Sequence, residues 1–338
     1  MRIVIVGASG NLGTALLRRL RDEPTASDIV AVSRREPDLA VAPYSGVAWH
    51  TLDIGSPSAP RTLAKIFAGA DAVVHLAWQL QPNHNEAALW RTNVIGTKNV
   101  LAAVAAARVP LLSYASSIAA YSPGPKTKRV DEHWPTGGIP SSHYSRHKAV
   151  NERALDRFEE QYPTIVVSRL RPGLVFQRSA AKEITGLFAG RHLPTGWLNV
   201  MRPPILPMPR QAIAQVVHSD DVADAFWRAV DRSAAGAFNI AAEPIVDPTV
   251  VASVLGSRWV PMRLRVARAL MWASWKLRLQ KSDPGWIDIA ATVPVMSTSR
   301  ARDELGWVPR VRSTDAIDEM VRGVADSANV EASPQLKG

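Results

Sequence analysis

After Met1, the chain reads Arg2-Ile-Val-Ile-Val-Gly7-Ala8-Ser9-Gly10-Asn11-Leu12-Gly13. The apolar run predicts a short buried strand, and the glycines predict a tight turn into the helical pattern that follows. Gly7 permits the turn, Gly10 lets the backbone approach a pyrophosphate, and Gly13 lets the helix pack on the strand. The N-terminus of that helix would point at the phosphates, whereas the alternative is a purely structural turn. The predicted nucleotide-binding residues are Gly7, Ser9, Gly10, Asn11, Leu12 and Gly13.

Strand-like and helical runs alternate along the first half of the chain. The strand-like runs lie near residues 2–7, 28–33, 46–51, 71–77, 110–116 and 164–170. This alternation predicts an α/β fold with a parallel sheet covered on both faces, which binds ligands at the carboxyl ends of its strands. Asp53, Trp78 and Ser117 follow the third, fourth and fifth runs. Further on, we predict a helix over 221–230 capped by Asp220, and a strand over 238–241.

Tyr144 and Lys148 lie four residues apart in Ser-His-Tyr-Ser-Arg-His-Lys. A helix would set the phenol and the ammonium group on one face. Because a tyrosine normally titrates near pH ~10, an adjacent cation would lower its pKa and allow proton exchange nearer neutrality. The pair therefore indicates a proton-transfer site, and the alternative is an exposed helical pair without a role.

Together these elements resemble the extended short-chain dehydrogenase/reductase family, which contains nucleotide-sugar epimerases, dehydratases and carbonyl reductases. Besides the glycine turn and Tyr144 with Lys148, the resemblance rests on Leu52-Asp53-Ile54, His75-Leu76-Ala77-Trp78, Thr92-Asn93-Val94 with Gly96-Thr97, Ala115-Ser116-Ser117 with Tyr121, Arg171-Pro172-Gly173, Val217-His218-Ser219-Asp220-Asp221-Val222-Ala223, and Ser297-Thr298-Ser299-Arg300 with Glu304-Leu305-Gly306-Trp307. It implies a Rossmann-type doubly wound parallel sheet with a smaller C-terminal substrate-binding domain. It also implies an NAD(P)-dependent oxidoreductase that transfers hydride between nicotinamide and a carbonyl or alcohol carbon.

Domain boundaries are expected where the β-α pattern changes. Residues 1–172 plus about 213–241 are predicted to form the NAD(P)-binding Rossmann domain. Residues 173–212, which are rich in Pro, Gly and Leu without clean periodicity, and residues 242–325 are predicted to form the substrate-binding domain. Residues 326–338 lack apolar periodicity and are expected to fray.

The resemblance assigns catalytic roles residue by residue. Tyr144 would carry the proton, and Lys148 would lower the pKa of Tyr144 and bind the nicotinamide ribose. Ser117 would hydrogen-bond the substrate oxygen, since it lies four residues before Tyr121; the alternative is a serine that caps local backbone. Asn93 would support the geometry of the site, and the alternative is an ordinary helix-interior amide.

Cofactor choice is expected to depend on the end of the second strand, which reads Val32-Ser33-Arg34-Arg35. Family members that prefer NAD carry aspartate at the position of Ser33, whereas Arg34 can bind a 2′-phosphate. NADP is therefore favoured and NAD is the alternative; a solvated arginine pair would leave the choice open. The resemblance places Asp53 at the adenine. It completes the predicted cofactor site with Ile54, Leu76, Ala77 and Trp78. We find no ligand cluster for a metal.

The substrate is predicted mainly from absent residues. Dehydratases of the family place acids directly after the Ser117 position, where this chain has Ile118-Ala119-Ala120, and nucleotide-sugar enzymes often carry asparagine where it has Gly173-Leu174-Val175-Phe176. These features favour a hydrophobic carbonyl or alcohol. A nucleotide-sugar epimerase is the alternative, and a non-catalytic NADP-sensing or interaction protein is an alternative of another class. Candidate pocket residues are Leu187, Phe188, Leu193, Trp197, Leu198, Val200 and Met201, and candidate pyrophosphate ligands are Arg191, Arg202 and Arg210.

Composition bounds the partners and the location. The 338 residues contain no cysteine, which excludes disulfides and thiol catalysis, and we expect a soluble cytoplasmic protein because no signal peptide or spanning segment is evident. The net charge is +10, and residues 258–281 interleave basic and apolar side chains. This pattern predicts an amphipathic helix packed on the substrate domain, with weak peripheral membrane contact as the alternative. Nucleic acid is not expected, and homodimers are common in the family.

Overall fold

A computed structural model describes residues 1–81, 84–178 and 204–325 of the chain. The strands are β1 Arg2–Val6, β2 Asp28–Ser33, β3 Ala48–Thr51, β4 Ala72–His75, β5 Leu111–Ala115, β6 Arg129–Val130, β7 Val166–Pro172, β8 Leu174–Phe176, β9 Ile205–Pro209, β10 Val216–His218, β11 Gly236–Ile240, β12 Arg258–Met262 and β13 Val295–Met296. The α-helices are α1 Asn11–Arg21, α2 Ala59–Ile66, α3 Glu86–Trp90, α4 Gly96–Ala107, α5 His143–Gln161, α6 Ser219–Asp231, α7 Pro248–Leu255, α8 Leu264–Lys276, α9 Gly285–Thr292, α10 Ser299–Leu305 and α11 Ser313–Ala325. A π-helical turn, Arg91–Ile95, joins α3 to α4, and a single 3₁₀ turn, Ile118–Ala120, follows β5.

A seven-stranded parallel sheet organises the molecule, in the order β11-β7-β5-β4-β1-β2-β3. Strand β1 lies between β2 and β4, with Ile3 opposite Ile29 on one side and Ala72 on the other. The chain order therefore reverses direction beside β1, which creates a crevice at the carboxyl ends of β1 and β4. The two faces of the sheet carry separate apolar clusters, so the predicted doubly wound α/β fold is confirmed.

Close backbone contacts explain the turn between β1 and α1. Gly7 has a φ of +94°, and a Cβ on it would lie 2.5 Å from the Ala77 amide nitrogen. A Cβ on Gly13 would lie 2.4 Å from the Gly7 carbonyl oxygen. A side chain at either position would collide with backbone atoms. Glycine at both positions therefore allows the strand to pass directly into the helix.

The helix after β10 starts earlier than the sequence predicts. Helix α6 begins at Ser219, and the His218 side chain, not that of Asp220, caps it by accepting a hydrogen bond from the Asp220 amide. The predicted cap was wrong, because Asp220 lies within the first turn and its carboxylate pairs with Arg18 at 2.6 Å. The Asp221 carboxylate accepts the amides of Arg310 and Val311, both at 3.0 Å.

Three two-stranded parallel ribbons lie outside the main sheet: β8 with β10, β9 with β12, and β6 with β13. Ala301, Leu305 and Trp307 are buried in the apolar cluster on one face of the main sheet. The α10 region thus packs against the main sheet. The predicted division into two domains stays a prediction, and residues 326–338 lie outside the described part of the chain. Among the described helices, none combines the length and hydrophobicity that crossing a bilayer requires.

Candidate active site

A cavity of about 380 Å³ lies at the carboxyl edge of the sheet. Along this edge the ends of β2, β1, β4 and β5 follow one another, so side chains distant in sequence converge. The predicted site residues that line the cavity are Gly7, Ser9, Gly10, Asn11, Leu12, Gly13, Arg34, Ile54, Leu76, Ala77, Trp78, Ser117, Tyr144 and Lys148. Asn93 and Asp53 lie outside the lining.

At one end of the cavity, the glycine turn leaves space for a ligand. A Cβ on Gly10 would meet only the Gly7 carbonyl oxygen, at 3.4 Å, which is an ordinary contact. Packing within the protein therefore does not require glycine at this position, whereas close approach of a phosphate does. Gly10 is also the N-cap of α1 and lines the cavity, so the positive N-terminal end of this helix faces the space for a ligand. These residues fit a dinucleotide pyrophosphate.

Arg34 extends from the end of β2 across the same end of the cavity. Its Nη1 donates to Gln79 Oε1 at 3.0 Å, and the Thr92 hydroxyl donates to the same oxygen at 2.8 Å. Ser33 donates to the Arg35 carbonyl, so the serine hydroxyl is held by local backbone. The end of β2 thus carries the Arg34 guanidinium. Ser33 occupies the position at which NAD-preferring relatives have a carboxylate that binds the ribose.

Asp53 and Asn93 hold loops next to the cavity. Asp53 accepts a hydrogen bond from the Gly55 amide at 2.9 Å and lies 3.4 Å from Arg91, so its predicted contact with adenine stays a prediction. Asn93 Oδ1 accepts from the Gln79 amide at 2.8 Å, and Asn93 Nδ2 donates to the Gln79 carbonyl at 2.9 Å. This two-way bond fixes the loop that carries Trp78 and Gln79.

Tyr144 lies at the opposite end of the cavity, in the first turn of α5. Ser142 caps this helix by accepting a hydrogen bond from the Ser145 amide at 3.3 Å. The Tyr144 ring packs between two indoles, with centroids 5.5 Å from Trp78 and 5.0 Å from Trp286. The cavity therefore has a glycine end, formed by Gly7 to Gly13, and a tryptophan end, formed by Trp78, Tyr144 and Trp286.

The ionisation of Tyr144 differs from the sequence expectation. Burial raises the pKa of the phenol, and a hydrogen bond with Ser117 opposes the rise only in part. The predicted lowering by Lys148 is wrong for this structure, because the Lys148 ammonium is directed elsewhere. The phenol is therefore protonated at neutral pH, the form that can donate a proton to a substrate oxygen.

Lys148 lies one turn after Tyr144 and is buried. Its Nζ donates to the Ala115 carbonyl at 2.6 Å and lies 3.6 Å from the centroid of the Trp78 ring, a cation–π distance. Burial lowers the pKa of Lys148 to about 7, although Glu152 works in the opposite direction. The amine is thus poised between its charged and neutral forms.

The two serines after β5 have different partners. Ser117 lines the cavity, and its hydroxyl oxygen accepts a hydrogen bond from the Ala119 amide at 3.1 Å. Ser116 donates to the Glu152 carboxylate. Both serines line the cavity, and the choice of Ser117 over Ser116 as the substrate-facing serine stays a prediction.

A buried ionic network lies behind Tyr144 and Lys148. Glu152 is fully buried and receives two hydrogen bonds from Arg171, both at 2.9 Å, and one from Arg169 at 3.1 Å. Burial alone would raise the pKa of Glu152, but the hydrogen bonds and charges of the arginines lower it to about 2. Arg171 also donates to the Tyr121 hydroxyl at 3.0 Å, and Tyr121 donates to Asn239 at 2.7 Å. The network anchors α5 to the sheet.

Sequence reasoning missed several of these residues. Trp286 and Ile289 enter the cavity from α9, and nothing in the local sequence of that helix indicates a site. Glu152 did have a signal, because it lies one turn beyond Lys148 on the same helix. The apolar candidates over 187–201, together with Arg191 and Arg202, lie outside the described residues. Arg210 lies 5.9 Å from the Trp259 ring and outside the cavity lining. Over the described ranges, no cluster of three or more possible ligands is arranged for a metal.

Comparisons with known proteins agree with this architecture. The sequence profile described as the NAD dependent epimerase/dehydratase family matches residues 3–241. An uncharacterised protein of Mycobacterium tuberculosis is 24% identical over 326 residues, which is 96% of this chain but 30% of that protein's length. The chain thus spans 30% of the length of the first curated relatives.

Two further relatives have described activities. A 4-hydroxy-2-methyl-3-oxo-4-farnesyl-3,4-dihydroquinoline-1-oxide ketoreductase of Stigmatella aurantiaca is 30% identical over 182 residues, covering 51% of this chain and 50% of the relative. The structure of UDP-glucose 4-epimerase from Thermus thermophilus, in complex with NAD, superposes with a TM-score of 0.69 at 20% identity and covers 96% of this chain and 99% of the epimerase. The second likeness concerns the fold alone.

Proposed function

Because the chain belongs to the NAD dependent epimerase/dehydratase family, whose members are enzymes, we propose that it is an NADP-preferring reductase or dehydrogenase of a hydrophobic carbonyl or alcohol. The observation that carries this proposal is the tryptophan end, where Tyr144 lies between Trp78 and Trp286 in the same cavity as the glycine turn.

The walls around Tyr144 are suited to an apolar substrate. Ile118 and Ile289 line the cavity beside the two indoles, and Leu174 and Phe176 line it from β8. Aromatic and aliphatic side chains gain free energy by covering apolar surface but provide few hydrogen bonds to a sugar. Support of a different kind comes from the ketoreductase of Stigmatella aurantiaca, since the name of its substrate includes a farnesyl group.

Each residue of the site is assigned one part of the reaction. Bound NADP(H) would supply or accept the hydride. Tyr144 lines the cavity, and we assign its protonated hydroxyl the proton exchange with the substrate oxygen. Ser117 hydrogen-bonds Tyr144 and would orient the same oxygen. Lys148 is close enough to the phenol to hold the ribose hydroxyls beside it, with the Tyr144 ring centroid 5.9 Å from its Nζ.

The preference for NADP is proposed from Arg34. Its guanidinium stands at the end of β2, where Ser33 replaces a carboxylate that would repel a 2′-phosphate. The hydrogen bond from Arg34 to the neutral Gln79 leaves other guanidinium donors for a phosphate.

A nucleotide-sugar epimerase is the second candidate. The observation in its favour is the polar group of Gln177 in the cavity lining, whose Nε2 has no hydrogen-bond partner within the described ranges. An epimerase would use the same Ser117, Tyr144 and Lys148 without net consumption of cofactor. A cytoplasmic location and a homodimer stay predictions for either enzyme.

One experiment separates the candidates. The full chain is supplied with NADPH or NADH and with a panel of apolar ketones, and in parallel with UDP-sugars. Net oxidation of NADPH by apolar ketones, faster than that of NADH, is the expected result. Interconversion of UDP-sugars without net cofactor turnover would replace the proposal with the epimerase. Cofactor binding without either reaction would indicate the non-catalytic alternative.

A further inference from the structure

A second surface of the molecule carries an unusual charge pattern. Residues 258–281, here called the basic segment, comprise β12, α8 and the turn after α8. The segment contains no Asp or Glu, and its basic residues are Arg258, Arg263, Arg265, Arg268, Lys276, Arg278 and Lys281. The segment alone carries a charge of +7, and the net charge of the whole chain is +10. Such a segment creates a positive field that favours an anionic partner.

The same segment exposes large apolar side chains. Of the twelve such exposed side chains in the described residues, half lie here: Val260, Val266, Leu270, Trp272, Leu277 and Leu279. Leu270 is 59% exposed, Trp272 52% and Leu277 69%. One exposed leucine is ordinary, but a group of six within one segment marks an interaction surface.

Helical spacing separates the side chains of α8 and of its C-cap, Leu277, into two stripes. Val266, Leu270, Ala273 and Leu277 follow the i, i+4, i+7, i+11 spacing of one stripe. Arg265, Trp272 and Lys276 form the adjacent stripe. The side of the helix that packs on the protein carries Ala267, which is its one buried residue. An apolar stripe beside a stripe with cations and an indole is the arrangement of helices that lie in a membrane interface.

Contacts on the protein-facing side hold α8 against the cavity wall. Arg268 Nε lies 3.1 Å from each oxygen of Asp288 in α9, and the Trp275 ring stacks on His84 with centroids 4.5 Å apart. Helix α9 also carries Trp286 and Ile289 of the cavity. The exposed stripes therefore have a fixed direction and lie next to the tryptophan end.

We propose that the basic segment docks on the surface of an anionic lipid bilayer. Leu270 and Leu277 insert among the acyl chains, Trp272 lies at the headgroup level, and Arg265 and Lys276 contact anionic headgroups. A protein partner or a second copy of the chain would have to neutralise cations along the whole segment, whereas a bilayer with anionic lipids presents that charge evenly. The inference goes beyond the proposed function and does not depend on it.

Cosedimentation with vesicles tests the docking directly. The full chain is mixed with vesicles of phosphatidylcholine, with or without phosphatidylglycerol at about 30% of the lipid. We expect binding to the vesicles with phosphatidylglycerol, weak binding to phosphatidylcholine alone, and a decrease of binding with salt. Equal binding to both lipids would overturn the electrostatic part of the proposal.

Two double variants separate the apolar and cationic contributions. Leu270→Ser with Leu277→Ser is expected to lower the vesicle partition coefficient about tenfold or more. Arg265→Gln with Lys276→Gln is expected to lower it about thirtyfold, from about 1 kcal/mol per cation near an anionic surface. The matched controls are Val308→Ser, since Val308 is 58% exposed, and Arg61→Gln on α2. Neither control should change the partition coefficient.

Other occupants of the surface give different results. If the leucine variants bind vesicles as well as the wild-type chain does, the bilayer proposal fails. If the chain ignores vesicles but self-associates through Leu270 and Leu277, the surface joins two copies instead. Circular dichroism and cofactor affinity verify that each variant is folded, and a loss of vesicle binding with intact NADPH turnover would leave the enzyme assignment untouched.

Discussion

The glycine end and the tryptophan end of the cavity are built by different means. At the glycine end, backbone lies against backbone, and a single Cβ on Gly7 would come within 2.5 Å of Ala77. At the tryptophan end, Trp78, Tyr144 and Trp286 come from three separate elements and meet through their rings. Backbone proximity permits few residue types, whereas many apolar side chains can form a wall. The first end therefore follows the family pattern, and the second tolerates more variation in the residues that form its wall.

A substitution of Tyr144 should separate the two ends most clearly, because it should lower kcat without affecting the glycine end. Tyr144→Phe keeps the ring between the indoles but removes the hydroxyl, so kcat should fall by a factor of about 10²–10⁴. The affinity for NADPH at the glycine end should change little. Steady-state kinetics and a direct cofactor titration measure the two quantities, and a variant with full turnover would remove the proton-transfer role.

The ionic network behind the tryptophan end should give the next largest effect. Glu152→Gln leaves the buried Arg171 without its carboxylate partner, whereas Arg169 keeps Asp156 and Glu159, and we expect a loss of about 3–5 kcal/mol in the free energy of unfolding. Glu160→Gln on the exposed side of α5 is the control and should stay within about 0.5 kcal/mol of wild type. Denaturant unfolding of both variants provides the comparison.

Acid should weaken the same network. Glu152 has a folded-state pKa of about 2 against an ordinary value of 4.5. Its contribution to stability is therefore complete above about pH 4.5 and is lost as the pH falls toward 2. Wild-type stability should decrease across this range, and Glu152→Gln should decrease less. Parallel slopes for the two proteins would contradict the assignment.

Substitutions at Gly7 and Gly10 test the two roles assigned to the glycine end, which are backbone packing and phosphate binding. Gly7→Ala should cost about 1–3 kcal/mol of stability, because its φ is positive and the new Cβ meets the backbone of Ala77. Gly10→Ala should leave stability within about 0.5 kcal/mol of wild type while it weakens cofactor binding, since within the protein its Cβ would make only an ordinary contact with the Gly7 carbonyl oxygen. Equal losses of stability would show that Gly10 serves packing instead of a phosphate.

The smallest effect is expected at Arg34. Arg34→Ser should raise KM for NADPH about tenfold through the loss of one charge-assisted hydrogen bond and leave KM for NADH nearly unchanged. Ser33→Asp should shift the ratio of the two KM values in the same direction, because a carboxylate here repels the 2′-phosphate of NADPH and can bind the ribose hydroxyls of NADH. If neither variant changes the ratio of the two KM values, the preference does not depend on the end of β2.

Sequence patterns predicted the parts of the molecule that local spacing determines. The strand, turn and helix around Gly7, and the pair Tyr144 with Lys148, each lie on one continuous piece of chain. Trp286 could not be predicted because it enters the site from α9, far along the chain. The Tyr144 pKa was mispredicted for a different reason. Helical spacing places Lys148 near the phenol, but only the structure shows its Nζ bound to the Ala115 carbonyl.

Burial of Lys148 leads us to expect that cofactor binding is coupled to proton uptake. With a pKa of about 7, about half of the molecules carry a neutral amine at pH 7. Ribose hydroxyls of a bound dinucleotide can accept hydrogen bonds from the ammonium form, so we expect binding to take up part of a proton near pH 7. Calorimetry in buffers of different ionisation enthalpy counts these protons, and Lys148→Met should abolish the uptake. We then expect the affinity for the dinucleotide to fall as the pH rises. The fraction of the protein that holds a cofactor would therefore depend on the pH of its surroundings.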